Sequence, residues 1–240
     1  MNPFDPEREN RELHETLRQN LVRVRAGVAR ALKKSARPER EVVIVAASKK
    51  QPLEKIRALA GMGQLHFGEN YVQEALSRIE VLGDQGLTWH FIGGLQTNKA
   101  RHAAGKFALI HSVDSLKLAR ELNKRAAGLD MIQPVLIQVN LAGESQKYGV
   151  LEKDLHDLSR AVLELDSLKL EGLMTMPPFF HDPEKARPFF AGLQGLRQRL
   201  ERDLGINLPH LSMGMSGDYE AAVEEGATII RVGTCLLGPR

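Results

Sequence analysis

Val42-Val-Ile-Val-Ala-Ala-Ser48, followed at once by Lys49 and Lys50, is a seven-residue apolar, β-branched run that stops on two cations. A run of that kind reads as a strand buried on both faces, as in a parallel sheet. Seven more runs follow, at Leu65–Gly68, Thr88–Gly93, Leu109–Val113, Val135–Asn140, Leu170–Met176, His210–Ser216 and Thr228–Gly233. Between them, segments such as Leu53–Gly63, Leu116–Ala127, Glu152–Leu165, Glu184–Leu204 and Asp218–Gly226 are long enough for right-handed helical crossovers. Eight strands alternating with helices favour a closed (β/α)8 TIM barrel of the α/β class. An open doubly wound sheet is the alternative, although its Gly-x-Gly-x-x-Gly fingerprint does not follow the first run.

Upstream of the first run, Leu13, Leu17, Leu21, Val24, Val28 and Leu32 recur at three- and four-residue steps, which predicts one amphipathic helix over Glu9–Lys34. The stretch Lys33 to Pro38 ends that period and reads as a connection. The whole chain, 1–240, reads as one domain, with helix and connection over 1–38 and barrel over 42–238.

The 240 residues are 42% hydrophobic, enough for one barrel of ordinary size. Lys and Arg exceed Asp and Glu by 33 to 30, and no basic tract is interleaved with aromatics, so no nucleic-acid partner is expected. The single cysteine, Cys235, excludes an internal disulfide and suits a reducing compartment, the cytoplasm. Met1–Asn10 is polar and no eighteen apolar residues run together, so neither secretion nor a membrane is expected. His66, His102, His111, His181 and His210 lack metal-ligand spacing, and no metal is predicted. His90 ends a buried run, where a satisfied core histidine is favoured over a base. Gly94–Lys99 lacks the second glycine and the Ser/Thr of a P-loop.

In such barrels the active site lies at the C-terminal ends of the strands. The polar residues there are Lys49, Glu69, Asn70, Gln96, Asn98, Ser216, Gly233 and Thr234. Lys49 sits at the barrel mouth while Lys50 turns outward. Partial desolvation disfavours the ammonium, which makes Lys49 a candidate for imine formation with an aldehyde; the alternative is a simple tether for an anion. Arg231 and Gly233 share one face if Arg231-Val-Gly-Thr-Cys235 is a strand. An interior Arg231 needs acceptors, and Gly233, Thr234, Ser212 and Ser216 suit a phosphate, with Ser216 opening the helix near Asp218. The other reading pairs Arg231 with Glu224 or Glu225 and makes the serine a cap.

Ala46-Ala-Ser-Lys49, His66-Phe-Gly-Glu-Asn-Tyr-Val-Gln-Glu74, Trp89-His-Phe-Ile-Gly-Gly-Leu-Gln-Thr-Asn-Lys99, Gly172-Leu-Met-Thr-Met176, Leu211-Ser-Met-Gly-Met-Ser-Gly-Asp218 and Arg231-Val-Gly-Thr234 together resemble the YggS/PROSC family of pyridoxal phosphate homeostasis proteins. The resemblance implies an alanine-racemase-like barrel with pyridoxal 5′-phosphate (PLP) on Lys49. It also implies Arg231 facing the pyridine nitrogen, Ser216, Gly233 and Thr234 on the phosphate, Asn70 near the ring and Met174 beside the cofactor. The chain departs from the family pattern at Ala47, where valine is common, and at Gly94, where proline is common, which leaves the local loop open.

Arg is only a donor and stays protonated, so a ring nitrogen facing Arg231 is unprotonated and the ring is a poor electron sink. Racemisation additionally needs a second acid/base, for which Tyr71, Tyr148, Tyr219 and Lys147 are the candidates. Lys147 matches a lysine of the family pattern and is a candidate secondary site for aldehyde capture; the alternative is a solvent-facing loop lysine. These readings favour a monomeric, non-catalytic protein that stores PLP and delivers it to apo PLP enzymes. The competing readings are a small amino-acid racemase and an RNA-associated protein resting on the basic surplus alone.

Overall fold

A computed structural model describes residues 6–35, 41–83, 85–144 and 148–239. Eight parallel strands close into a barrel in sequence order: β1 (Val43–Ala47), β2 (His66–Glu69), β3 (Thr88–Phe91), β4 (Leu109–Val113), β5 (Gln133–Val139), β6 (Leu168–Thr175), β7 (His210–Ser212) and β8 (Ile229–Val232). β8 returns to β1 with Val43 opposite Ile229 and Val45 opposite Arg231, so the seam joins the two ends of the barrel segment. Helices α1 (Pro6–Lys34), α2 (Leu53–Gly61), α3 (Val72–Leu82), α4 (Ala100–Ala103), α5 (Leu116–Ala127), α6 (Glu152–Leu163), α7 (Arg187–Leu204), α8 (Tyr219–Glu224) and α9 (Thr234–Leu237) complete the order.

The two-residue period of each strand sorts its side chains. Val45, Leu109, Leu136, Met174 and Ile229 fill the barrel interior, with Val43 and Met176 against them. The alternate residues, among them Ala46, Phe67, Ile110, Ile137, Leu211 and Ile230, face outward into the larger core beneath the helices. The closed barrel excludes the open-sheet alternative.

Several expected boundaries move. The expected helix Glu184–Leu204 is a 3-10 turn, Pro183–Ala186, running into α7. The seventh strand is regular only to Ser212: Gly214 O still accepts the Arg231 N–H at 2.9 Å, but with a φ of 93° the chain turns there instead of running on to Ser216. The eighth strand stops at Val232, and Gly233 opens α9, a helix that the apolar run concealed.

α1 follows its expected pattern: Leu17, Leu21, Val24 and Val28 are buried, while Leu13 and Leu32 pack at the edge of the core. It lies against α2, α8 and α9, across the outside of the β8–β1 seam. Asn20 donates to Leu236 O at 3.1 Å, and Arg30 pairs with Glu220 at 3.0 Å. Each buried aliphatic side chain contributes roughly 1.5–3 kcal/mol, so α1 is part of the fold and not an appendage. Leu17→Ala is therefore expected to lower unfolding free energy by roughly 2–5 kcal/mol in urea melts; a change under about 0.5 kcal/mol would mean that α1 docks too weakly to matter.

Candidate functional site

Lys49 follows β1 in a tight loop, half-buried, while Lys50 is exposed. Lys50 reaches that outward position with a φ of 58°, an uncommon region for a non-glycine residue, which needs support from its surroundings. The support comes from α3. Arg78 donates to the carbonyls of Ser48 and Gln51, both at 2.7 Å, and pairs with Glu69 and Glu74. Glu74 accepts the Lys50 N–H at 2.9 Å. Ser48 Oγ donates to Glu69 at 2.5 Å. Burial pushes the Glu69 carboxyl up, and the Ser48 hydroxyl and Arg78 guanidinium oppose that rise. The guanidinium in contact favours the carboxylate form. Lys49 is thus carried by a loop clamped on both sides.

The same loop is tied to the chain's far end. Gln51 donates to Gly238 O at 3.2 Å, and Lys55 bridges Gln51 and Leu237 O at 2.9 and 2.7 Å.

Arg231 is buried and points into the barrel, as its two-residue offset from Ile229 requires. It donates to Ser212 Oγ at 2.6 Å and to Thr175 O at 2.9 Å. Glu224 and Glu225 pair instead with Arg187, both at 2.9 Å, so the alternative partners for Arg231 do not hold. Burial lowers the Arg231 guanidinium to about 10, opposed by Asp218, which leaves it charged at neutral pH.

Ser216 does not open a helix. Its hydroxyl accepts the Gly233 and Cys235 N–H groups at 3.1 and 3.3 Å, and the turn before α8 is instead held by Asp218, whose Oδ1 accepts Met215 N–H at 2.6 Å. Nor does Gly233 share a strand with Arg231; it stands at the turn into α9, and Thr234 is exposed at that helix's start.

Lys49, Asn70, Ser216, Arg231, Gly233 and Thr234 line one cavity of about 250 Å³, together with Asp218, Met176, Met215 and the aromatic pair Phe179 and Phe180. That volume suits a small ligand rather than a polymer. The cavity brings together an amine, a buried guanidinium and the hydroxyls of Ser216 and Thr234. Asn70 Oδ1 adds a buried acceptor without a hydrogen-bond partner. These groups fit a ligand carrying an aldehyde, a ring acceptor and an anion.

Two expected residues lie elsewhere. Met174 is packed beneath the cavity in the barrel interior, and Met176, two residues on, reaches the wall. Ser212 is also below the wall, between Arg231 and His111, whose Nδ1 is 2.8 Å from its Oγ. Lys147 lies outside the described residues.

A second cavity, of about 400 Å³, shares the Asn70 wall and is lined by Tyr71, Gln96, Lys99 and Tyr148 among others. Asn98 lines neither of these two cavities. At Gly94 a Cβ would stand 2.5 Å from the Tyr148 ring, which explains how glycine serves there. Tyr219 is turned toward α1, where a Cβ on Gly27 would collide with its hydroxyl.

The Arg78 clamp escaped sequence reading. Its one signal is an arginine at position 78, three residues beyond Ala75 and four before Leu82, on the face of α3 that is otherwise buried.

The profile of the alanine racemase N-terminal domain matches residues 16–240. The "Pyridoxal phosphate homeostasis protein" of Aquifex aeolicus is 47% identical over 222 residues, covering 92% of this chain and 97% of that one. The structure of PipY from Synechococcus elongatus with PLP bound is 39% identical, with a TM-score of 0.78 over 88% of this chain and all of the other. An alanine racemase of Clostridium difficile, 16% identical, shares the fold with a TM-score of 0.73; this chain covers 57% of it.

Arg78→Met would leave Glu69 buried beside no cation, and is expected to cost roughly 3–5 kcal/mol in denaturant unfolding; a loss below about 1 kcal/mol would contradict the clamp. Burial lowers His90 to about 3 and His111 well below the usual 6.5, each further depressed by neighbouring positive or titratable groups. The unfolded chain takes up protons at these rings below pH 6.5 and the native chain does not. Their contribution to stability is therefore full above that pH and is lost as pH falls toward 3. In an NMR titration from about pH 7.5 to 5, both rings should keep neutral-imidazole shifts; a midpoint inside that range would refute their burial.

Proposed function

The chain belongs to the alanine racemase N-terminal-domain family, among its pyridoxal phosphate homeostasis proteins, and from that premise we propose that it holds PLP as a Schiff base on Lys49 and stores and delivers it without turnover. The observation that carries this reading is the convergence of Lys49, Arg231 and the Ser216, Gly233 and Thr234 group on one cavity.

Each residue has a role that its chemistry supports. Lys49 supplies the amine, held at the mouth by the Arg78 clamp. Arg231, donor-only and charged, pairs with an unprotonated pyridine nitrogen. Ser216 Oγ accepts the Gly233 N–H, which leaves its own proton to donate, and with the hydroxyl of Thr234 it receives the phosphate where Gly233, lacking a side chain, lets the anion approach. Asn70 stands beside the ring, and Met174 and Ser212 act from below, through Met176 and Arg231. Bound PLP supplies a reactive aldehyde and an electron sink, and Arg231 keeps that sink weak by withholding a proton from the ring.

Proton transfer at a substrate carbon asks for an acid/base on the opposite face of the cofactor. Tyr71 and Tyr148 line the neighbouring cavity, and Tyr219 faces α1. Asp218, the carboxyl in the cavity wall, is engaged by Met215 N–H. This distribution supports storage over racemisation. Delivery makes apo PLP enzymes the recipients, with the chain acting as a cytoplasmic monomer and Lys147 as a site of transient aldehyde capture. Among the described residues, no helix is long and apolar enough to cross a membrane.

The test is a pair of assays on PLP-loaded protein. Incubated with proteinogenic amino acids in deuterium oxide, it should place no deuterium at any α-carbon, and mixed with an apo PLP enzyme it should restore that enzyme's activity. Deuterium incorporation abolished by Lys49→Ala would make the protein a racemase-type catalyst. Lys147→Ala should slow cofactor transfer; an unchanged rate would remove Lys147 from the account.

A further inference from the structure

Five polar side chains cross the barrel interior in contact with one another, in a place that apolar branched residues ordinarily fill. His66 Nδ1 lies 3.0 Å from His90 Nε2, and His90 Nδ1 lies 3.0 Å from His111 Nε2. His111 Nδ1 is 2.8 Å from Ser212 Oγ, which accepts from Arg231 Nη1 at 2.6 Å. The rings are tilted by 49° and 75°, so their nitrogens meet edge to edge and the faces do not stack. The chain begins at the start of β2, where His66 is half-buried, and ends at the guanidinium in the cavity wall. Because the inner nitrogens face one another at hydrogen-bond distance, this is a hydrogen-bond chain and not a metal site; among the described residues no metal-holding group occurs.

The direction of the chain follows from Arg231. A guanidinium only donates, so Ser212 Oγ must accept from it, and among the contacts of that hydroxyl His111 Nδ1, at 2.8 Å, is the acceptor for the serine's own proton. That leaves His111 with its proton on Nε2, donated to His90 Nδ1. His90 in turn donates from Nε2 to His66 Nδ1, and the Nε2 proton of His66 points away from the chain. The same order is favoured electrostatically, because every imidazole then turns its lone pair toward the buried positive charge.

We propose that His66, His90, His111 and Ser212 form a one-way hydrogen-bond chain, each histidine carrying its proton on Nε2, that fixes the guanidinium of Arg231. His111 and Ser212 are positioning residues for Arg231, acting on whatever it touches in the cavity. This rests on the reading of Arg231 as the partner of the PLP ring, but the order of protons along the chain can be read without any ligand.

The experiment has two parts. Long-range ¹⁵N–¹H correlation spectra of the unliganded wild-type protein should show a protonated Nε2 and a bare Nδ1 at His66, His90 and His111; a proton on Nδ1 of His90 or His111 overturns the proposal. PLP titration then reads the consequence. Ser212→Ala should weaken PLP binding about tenfold, the scale of one lost charge-assisted hydrogen bond, and shift the absorption band of the bound cofactor. Ser212→Thr should restore both. Wild-type affinity and spectrum in Ser212→Ala would overturn the positioning role. Should wild-type protein take up no PLP at all, the reading of the cavity falls, and the tautomers alone decide the chain.

Discussion

Arg231 places a permanent positive charge inside the barrel, and much of the surrounding structure is arranged to accommodate it. Burial alone would disfavour the charged form by far more than any single hydrogen bond returns. The guanidinium is met by Ser212 Oγ and the Thr175 carbonyl, and it feels the field of Asp218. Neither direct partner is an anion, so the charge is stabilised without being neutralised. Such a group favours a ligand atom with a free lone pair at the cavity wall, which it shares with the hydroxyls of Ser216 and Thr234.

Closure of the barrel is what makes this a site. Lys49 leaves β1 and Gly233 leaves β8, and they meet only because β8 pairs with β1 in the register that sets Val45 opposite Arg231. Two clamps hold that meeting in place. Arg78 fixes the lysine loop to α3, and Gln51 with Lys55 fixes it to the end of α9. α1 lies across the same seam from outside.

Much of this could be read from residue order, because the governing signals are periodic. The eight apolar runs appear as eight strands, and the three- and four-residue spacing of Leu17, Leu21, Val24 and Val28 appears as the buried stripe of α1. Lys49 and Arg231 were legible for the same reason: each stands at a determined offset from a strand. Periodicity tells which face a side chain takes but not its depth. Met174 and Met176 share a face, yet only the second reaches the cavity. It also fails where strands end. A run that stays apolar conceals the turn at Gly233 and the start of α9, and Gly214 ends β7 four residues early. The histidine chain and the Arg78 clamp depend on the relative heights of residues on different elements, which no local pattern records.

On this reading Lys49 forms a covalent bond with PLP while Arg231 faces its ring. Borohydride reduction of the PLP-treated protein, followed by mass spectrometry of its peptides, tests that bond directly. The account predicts one pyridoxyl-phosphate adduct, on Lys49, absent from Lys49→Ala. An adduct spread over surface lysines, or none at all, would contradict it and leave Lys49 as a tether for some other anion.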